Sequence, residues 1–400
     1  MKTVFDLRVH PEASILTHVK HLFGEDMKVV SFDSKSITPC IGCWDCWLKT
    51  PGRCVINDAM SQHYHDYMNS EHVIVLCDTA QGFIHHSAKA FIDRSIPHYL
   101  PYIELIDGEC NHVPRYAHYP KLTFYFDADD LSAQEEVVIE DYLYRTAYQY
   151  KSKAFRLVKG QTLTHKPLVA RKPQNKQHPY VAYPSEQKLI IYLGSPRLKN
   201  SNSSIILDAV AHTLGDRVEI RDLKQRKHWE AWRESFKKDE RVLFFLPLYV
   251  HAMPSHVMAF IETLEPSPGG LAFFVQSGFP ESCQSYYLEA YVEVLSLRLK
   301  RHYAGTAIKG GMEGLQMRPP QGQTSLIQPL VNAIVELEKD GKFNEATLKT
   351  LAHPVRYGRW MRIMFTLIGS RLMNRFFWNM KLKNNQAYAI RLQKPYDSKI

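Results

Sequence analysis

Two stretches of this 400-residue chain gather side chains that could do chemistry. The first holds Cys40, Cys43, Cys46 and Cys54 in the spacing C-x2-C-x2-C-x7-C. Closely spaced thiolates can wrap one cubane while a later cysteine closes the fourth corner, which is the ligation chemistry of a 4Fe–4S centre. Zinc also takes four thiolates, but its sites usually come as two separated pairs. A loop of free or redox-active thiols is the third reading. Four of the seven cysteines fall within fifteen positions, so a disulfide framework spread through the chain is not indicated. Cys77, in an apolar run, reads as a small core residue.

The second stretch runs Gly194-Ser195-Pro196-Arg197-Leu198-Lys199-Asn200-Ser201-Asn202-Ser203-Ser204 between an apolar strand and a helical pattern. Glycine permits a sharp exit from the strand, hydroxyls and amides offer hydrogen bonds, and a helix N-terminus turns its N–H groups toward an anion. A phosphate cradle is one reading; a Ser/Asn-rich N-cap turn is the structural one. Downstream, one strand ends in Pro247-Leu248-Tyr249-Val250-His251-Ala252-Met253-Pro254 and the next in Gln276-Ser277-Gly278-Phe279-Pro280. In an open α/β sheet ligands bind beyond the carboxyl ends of the strands, so these three loops should converge.

The elements that must position them alternate along the chain. Apolar runs at 188–193, 218–220, 242–248, 271–276 and 303–308 alternate with helical patterns at 203–213, 228–236, 254–264 and 283–299, and a further helix falls near 325–338. Five such strands predict a parallel sheet covered on both faces. Residues 3–7, 27–32, 73–77, 122–126 and 154–158 repeat the plan more loosely. The expected organisation is an α/β domain over 1–160, a Pro-, Lys- and Gln-rich linker over 161–186, a second α/β domain over 187–345, and a basic helical tail over 346–400.

On these motifs the chain resembles the NAD(P)H-dependent FMN reductases and related flavodoxin-fold oxidoreductases. The family's first loop, G-S-P-R-x-x-x-N-[ST], is similar to Gly194, Ser195, Pro196, Arg197, Asn202 and Ser203. Its third-strand loop resembles Pro247, Tyr249, Met253 and Pro254. The resemblance covers about 187–340 and implies two flavodoxin-like doubly wound domains with five-stranded parallel sheets. It implies FMN phosphate at Ser195, Arg197, Ser201, Asn202 and Ser203, and the isoalloxazine against Pro247, Leu248, Tyr249, Gln276, Ser277 and Gly278. NAD(P)H would be the co-substrate. The stretch CIGCWDCWLKTPGRCVINDAM resembles both the compact cysteine motif of iron–sulfur flavoproteins and a stretch of relatives described simply as flavoproteins, so cluster and free thiols both stay open.

The first half departs from the flavin pattern. After its first strand come Arg8-Val9-His10-Pro11-Glu12-Ala13-Ser14, with no glycine and an added carboxylate, and Asp78-Thr79-Ala80-Gln81-Gly82 lacks the Pro-x-Tyr element. A degenerate flavin site is expected there. Residues 85–94 resemble the family's K-x-x-x-D-R helix, and the adjacent His85 and His86 read as a helix entrance, because neighbouring positions do not face one another.

The formal net charge of +9 has an address. From Leu351 to Ile400 ten Lys and Arg stand against Asp397 alone, so the rest of the chain is balanced and a chain-wide nucleic-acid footprint is not indicated. Within the tail, apolar residues recur from Trp360 to Met380, with Arg359 just before them and Arg362, Arg371 and Arg375 among them, an amphipathic basic helix. Packing on the flavin domain or across a dimer is the favoured reading, and a membrane surface or protein partner the alternative. The absence of a secretory signal and of a spanning apolar run predicts a cytoplasmic protein. The function expected is electron transfer from NAD(P)H through FMN to a small-molecule or protein acceptor, with no catalytic acid or base required. The rivals are an iron–sulfur electron carrier fed by a protein donor and a non-catalytic flavin-binding module. Fusion of two such domains predicts an internal pseudo-dimer, or else a homodimer.

Overall fold

The computed structural model describes residues 1–32, 37–168, 178–197 and 201–397. Leu198, Lys199 and Asn200 of the proposed cradle, and 169–177 of the predicted linker, lie outside them. The chain divides into one unit made of Met1–Lys172 with Gly358–Ile400, and another of Pro173–Tyr357.

In the first unit the order is β1 (Lys2–Asp6), α1 (Ala13–Phe23), β2 (Lys28–Ser31), a single turn α2 (Asp45–Leu48), α3 (Tyr64–Asn69) and β3 (His72–Cys77). A small hairpin β4 (Thr79–Ala80) and β5 (Phe83–Ile84) leads into α4 (His86–Arg94), and a longer hairpin β6 (Tyr99–Ile106) and β7 (Glu109–Pro114) follows. Then come β8 (Lys121–Phe126), α5 (Ala133–Gln149), β9 (Phe155–Lys159) and β10 (Thr162–Lys166). The sheet order is β10-β9-β8-β3-β1-β2, parallel except for β10. A sixth strand therefore occupies part of the stretch read as linker: Gly160 takes a positive φ, and the chain turns back to pair antiparallel with β9. All six residues of β3 are buried, as a central strand between two helical layers requires.

In the second unit β11 (Leu189–Leu193), α6 (Asn202–Leu214), β12 (Val218–Asp222), α7 (Trp229–Phe236), β13 (Arg241–Pro247) and α8 (Ser255–Ile261) lead to β14 (Gly270–Gln276), α9 (Tyr286–Arg298), β15 (His302–Lys309), α10 (Pro320–Asp340) and α11 (Glu345–Leu351). The five strands are parallel in the order β12-β11-β13-β14-β15, which is 2-1-3-4-5 in sequence terms. That is the flavodoxin order, with its switch point between the first and third strands. Ile191, Leu243, Phe245 and Phe274 of the sheet pack against Ile206, Val210, Leu330 and Ile334 of α6 and α10 to make this unit's core.

The tail is helical from 359 to 384, with two segments, Phe365–Gly369 and Met373–Trp378, wound as π-helix. It belongs to the first unit, not to the second as its expected packing on the flavin domain required. Phe377, Trp378 and Leu382 bury against Cys46, Trp47 and Leu48, and Asn374 exchanges two hydrogen bonds with the Ile103 backbone at 2.8 and 2.9 Å. The amide thus supplies the pairing that a neighbouring strand would otherwise give the edge of β6.

Candidate functional site

At the second unit's switch point Gly194 leaves β11 with no room for a side chain. A Cβ there would sit 2.8 Å from Leu246 and 2.9 Å from Val257, so only glycine lets the loop pass so close to β13 and α8. Ser195 follows, buried at the carboxyl end of β11. Ser201 caps α6 by accepting the Ser204 N–H at 3.0 Å. The first N–H groups of a helix lack intrahelical partners, and here the first turn of α6 meets the end of β14 through Ser203 and Gln276.

Three loops meet there. Leu248 N–H donates to the Gln276 carbonyl at 2.8 Å, which ties the third-strand loop to the fourth. The Gln276 side-chain amide donates to Ser203 Oγ, which ties the fourth to the start of α6. Ser277 N–H donates to the Lys309 carbonyl at 3.0 Å, and Ser277 Oγ to the Phe279 carbonyl at 3.0 Å. Beyond Pro247, Tyr249 and Ala252 exchange backbone bonds of 2.8 and 3.0 Å around Val250 and His251, whose φ values are +40° and +61°. Positive φ at a β-branched residue costs on the order of 1–3 kcal/mol, and such strain gathers where a loop is shaped for a ligand.

The sequence reading passed over His251. Its Nδ1–H donates to the Gln284 carbonyl at 3.0 Å, which fixes the ring's orientation beside the turn. Its signal was the position itself, inside the Pro-x-Tyr loop. Glu313 was also missed. It stands in a short 3-10 turn, Met312–Met317, whose backbone and side chains close over the cradle. Asn202 Nδ2 donates to the Met312 carbonyl at 2.6 Å, Gln316 donates to Asn202 Oδ1 at 2.9 Å, and Arg197 pairs with Glu313 at 3.5 Å. A Cβ on Gly278 would come within 3.2 Å of Glu313 Oε2.

Two of the nominated phosphate ligands, Asn202 and Ser203, therefore already have protein partners and hold loops together. Basic groups also stand near the cradle, and Lys224 is paired with Asp222 at 3.3 Å as Arg197 is with Glu313. Lys224 donates to the Arg197 carbonyl at 2.7 Å, and His256 is pushed down to about 3 by burial and by the nearby Arg226 and Lys224. Gln276 Oε1 is buried and, among the described residues, has no hydrogen-bond partner. It is an acceptor of the kind a flavin ring N–H needs.

The corresponding place in the first unit is a cleft of about 330 Å³ lined by Val9, His10, Asp78, Thr79, His85, Asp127, Asp129 and Asp130. A phosphate there would face four carboxylates. Below it Arg8 is buried and committed to Asp6 at 2.7 Å, and Asp78, raised by burial, accepts the Val9 N–H at 2.6 Å. His85 caps α4 by accepting the Ser87 N–H at 3.2 Å.

The cysteine loop is clamped at both ends by one side chain. Arg94 donates to the carbonyls of Thr38 at 2.8 Å and Ile56 at 3.2 Å and pairs with both oxygens of Asp58. Beside it Lys89 and Asp93 form a fully buried ion pair. The three charged residues of the K-x-x-x-D-R helix thus close the loop from beneath. The tail closes it from above: Pro395 lies where a Cβ on Gly52 would be, 2.7 Å away, and Tyr396 stacks on Tyr64 at 5.4 Å.

Within the loop Cys43 is exposed, Cys46 buried, and Cys40 and Cys54 in between, with no disulfide. Burial pushes the Cys40 thiol up to about 12 and raises Cys43 and Cys46, and neighbouring sulfurs add to the cost: Cys54 and Cys43 for Cys40, Cys54 for Cys43, and all three others for Cys46. No three of them lie within 4.8 Å of one another, whereas a tetrahedral zinc with Zn–S near 2.3 Å would need S–S edges of about 3.8 Å. The Asp45 N–H donates to Cys43 Sγ at 3.4 Å, the type of bond that tunes a cluster thiolate.

No protein-family model and no curated protein matches the chain. Solved structures do. An NADPH-quinone reductase from P. pentosaceus is similar at 17% identity and a TM-score of 0.30, covering 36% of this chain and 96% of its own. A general stress protein 14 in complex with FMN from Treponema denticola has 14% identity, a TM-score of 0.30, and coverage of 37% and 99%. An FMN-dependent NADH-azoreductase from Bacillus anthracis, in complex with FMN, has 13% identity, a TM-score of 0.31, and coverage of 38% and 99%.

Proposed function

We propose that the second unit binds FMN and that the chain passes electrons from NAD(P)H through it to an acceptor such as a quinone, an azo compound, a free flavin or a protein. The observation that supports this reading most is the convergence of three loops at the switch point of a 2-1-3-4-5 sheet, around a glycine that tolerates no side chain and a buried, unpartnered amide oxygen. Ser195, Arg197 and the start of α6 would hold the phosphate. Pro247, Leu248, Tyr249 and the Gln276–Gly278 turn would line the ring. When bound, FMN supplies the two-electron chemistry, accepting hydride from the nicotinamide. The protein's part is positional: Gln276 presents an acceptor, the 249–252 turn holds its shape, and His251 is held in orientation by the Gln284 carbonyl.

The four thiols support a further cofactor on the same chain, a 4Fe–4S cluster held by Cys40, Cys43, Cys46 and Cys54. What favours it over zinc is that no three of the sulfurs lie within 4.8 Å of one another, whereas a single tetrahedral ion needs edges of about 3.8 Å. One anaerobic experiment tests both cofactors. FMN-loaded protein mixed with NADPH or NADH should lose its flavin absorbance within turnover time, and iron should be recovered with a broad band near 400 nm. Bound flavin that neither nucleotide reduces would leave only a flavin-binding module.

Glu313 sets a second expectation. Its carboxylate neutralises Arg197 and must give way to a phosphate. Glu313→Gln is expected to tighten FMN by up to about fivefold, since a half-exposed ion pair is worth about 0.2–1 kcal/mol. Titration of apoprotein by flavin fluorescence quenching reads this directly, and a weaker affinity would show that Glu313 supports the site instead of competing for it.

A further inference from the structure

The tail helix turns a long apolar face to solvent although its other face is docked. Asn374, Phe377, Trp378 and Leu382 hold it on the first unit. Away from that contact Trp360 is 79% exposed, Leu367 55% and Phe376 62%, with Met364, Ile368 and Leu372 about half exposed between them. Trp360, Met364, Ile368, Leu372 and Phe376 follow one another at intervals of four, with Leu367 beside the row. A plain α-helix turns once in about 3.6 residues, so such a row would drift around the cylinder. The two π-wound segments take more residues per turn and keep the row on one side.

Charge decides between the occupants of this face. Exposed Arg359, Arg371 and Arg375 are interspersed with the apolar row, and no acidic residue occurs from Gly358 to Tyr396. A second copy of the chain packed on the same face would bring arginine rows together with nothing to neutralise them. An anionic bilayer surface offers both phosphates for the guanidinium groups and acyl chains for Trp360, Ile368 and Phe376. No helix among the described residues is long and apolar enough to cross a membrane, so the helix would lie in the interface.

We propose that residues 359–380 form an interfacial helix that docks this protein on anionic lipid bilayers. The anchor residues pack on Cys46, Trp47 and Leu48 at the C-terminal end of the helix, and Asn374 ties the preceding turn to the Ile103 backbone of β6. The proposal stands apart from the flavin reading.

The test is cosedimentation of the full-length protein with phosphatidylcholine vesicles, with and without a phosphatidylglycerol fraction. Binding is expected only with the anionic lipid and should weaken as salt is raised. The exposed Trp360 should shift its emission to the blue, a shift that Trp360→Phe removes. Ile368→Glu and Phe376→Glu should each weaken binding by roughly tenfold. Both side chains are exposed, so near-ultraviolet circular dichroism should be unchanged and a folding failure would be visible. Equal binding to neutral vesicles, or none to either kind, overturns the proposal. So does a dimer in lipid-free buffer that Phe376→Glu dissociates, because the face would then be covered by a second copy.

Discussion

Replacing Ser195 and Asn202 together by leucine is expected to weaken FMN binding by at least roughly one to two orders of magnitude, since the charge-assisted bond lost at Ser195 costs about 1.5–3 kcal/mol. The two sites act differently. Ser195 is buried at the end of β11, and Gly194 before it is walled in by Leu246 and Val257, so a leucine cannot retreat and must enter the cradle. Asn202 holds the Met312 carbonyl and accepts from Gln316, so its loss also frees the turn that covers the cradle. Flavin content after purification and fluorescence titration of the apoprotein measure the loss, and the apoprotein's melting curve checks that the unit remains folded. The same exchange at His10 and Ser14, both exposed in the first unit, should leave bound flavin unchanged. Flavin lost from that control would move the cofactor to the acidic cleft and refute the assignment.

A second large effect should appear in acid. His98 is fully buried with neither ring nitrogen hydrogen-bonded among the described residues, and burial with the nearby Arg115 pushes it down to about 3. It stacks on Tyr67 at 4.8 Å and meets Tyr64, Tyr116 and Tyr396 edge-on. His72, buried beside Thr123, is pushed down to about 4, again first by burial and then by Arg156, Lys121 and Lys2. In the unfolded chain both rings titrate near 6.5. Between that value and their folded values the unfolded state binds more protons. The stability they contribute is thus fully present above pH 6.5 and is lost as pH falls toward 4 and 3. At pH 5 each should have removed on the order of 2 kcal/mol from the first unit. The carboxyls of Asp58 and Asp66 are partly buried, yet Arg94 in one case and His63 and Lys28 in the other hold them down, so they enter only below their ordinary value of 3.8. Amide exchange in β1, β3 and β8 against pH reads the first unit's stability. His98→Phe keeps the stacking and cannot take up a proton, so it should flatten the dependence by about one proton; an unchanged slope would show that His98 does not titrate on unfolding.

Much of this protein is visible in its sequence because the signals are local. Short apolar runs such as 188–193, 242–248 and 271–276 can hardly be anything but strands buried on both faces, and helices between them leave a parallel doubly wound sheet as the simple solution. Gly194, Ser201 and the Ser/Asn run after them announce a tight turn into a helix, and the strand order then brings that turn to the loops at Leu248 and Gln276. The β6–β7 hairpin could have been read too: Asp107-Gly108 takes positive φ at both positions, and Asp-Gly between alternating apolar residues is a strong hairpin signal.

What the sequence could not determine depends on partners far apart in the chain. Asn374 reaches Ile103 and Arg115 reaches Gln393, contacts 271 and 278 positions apart, and together they place the tail over the cysteines and leave its outer face bare. Periodicity shows that a helix has an apolar face, but it contains nothing about which of two similar units will receive it. Likewise Arg197 and Glu313 lie 116 positions apart, and a carboxylate reaching into an anion cradle has no local signature. The spacing of Cys40, Cys43, Cys46 and Cys54 suggests ligands. Whether they suit one ion or a wider cluster rests on the sulfur separations in the folded loop, whose ends, at Thr38, Ile56 and Asp58, are tied by Arg94, a residue that only folding brings to that place.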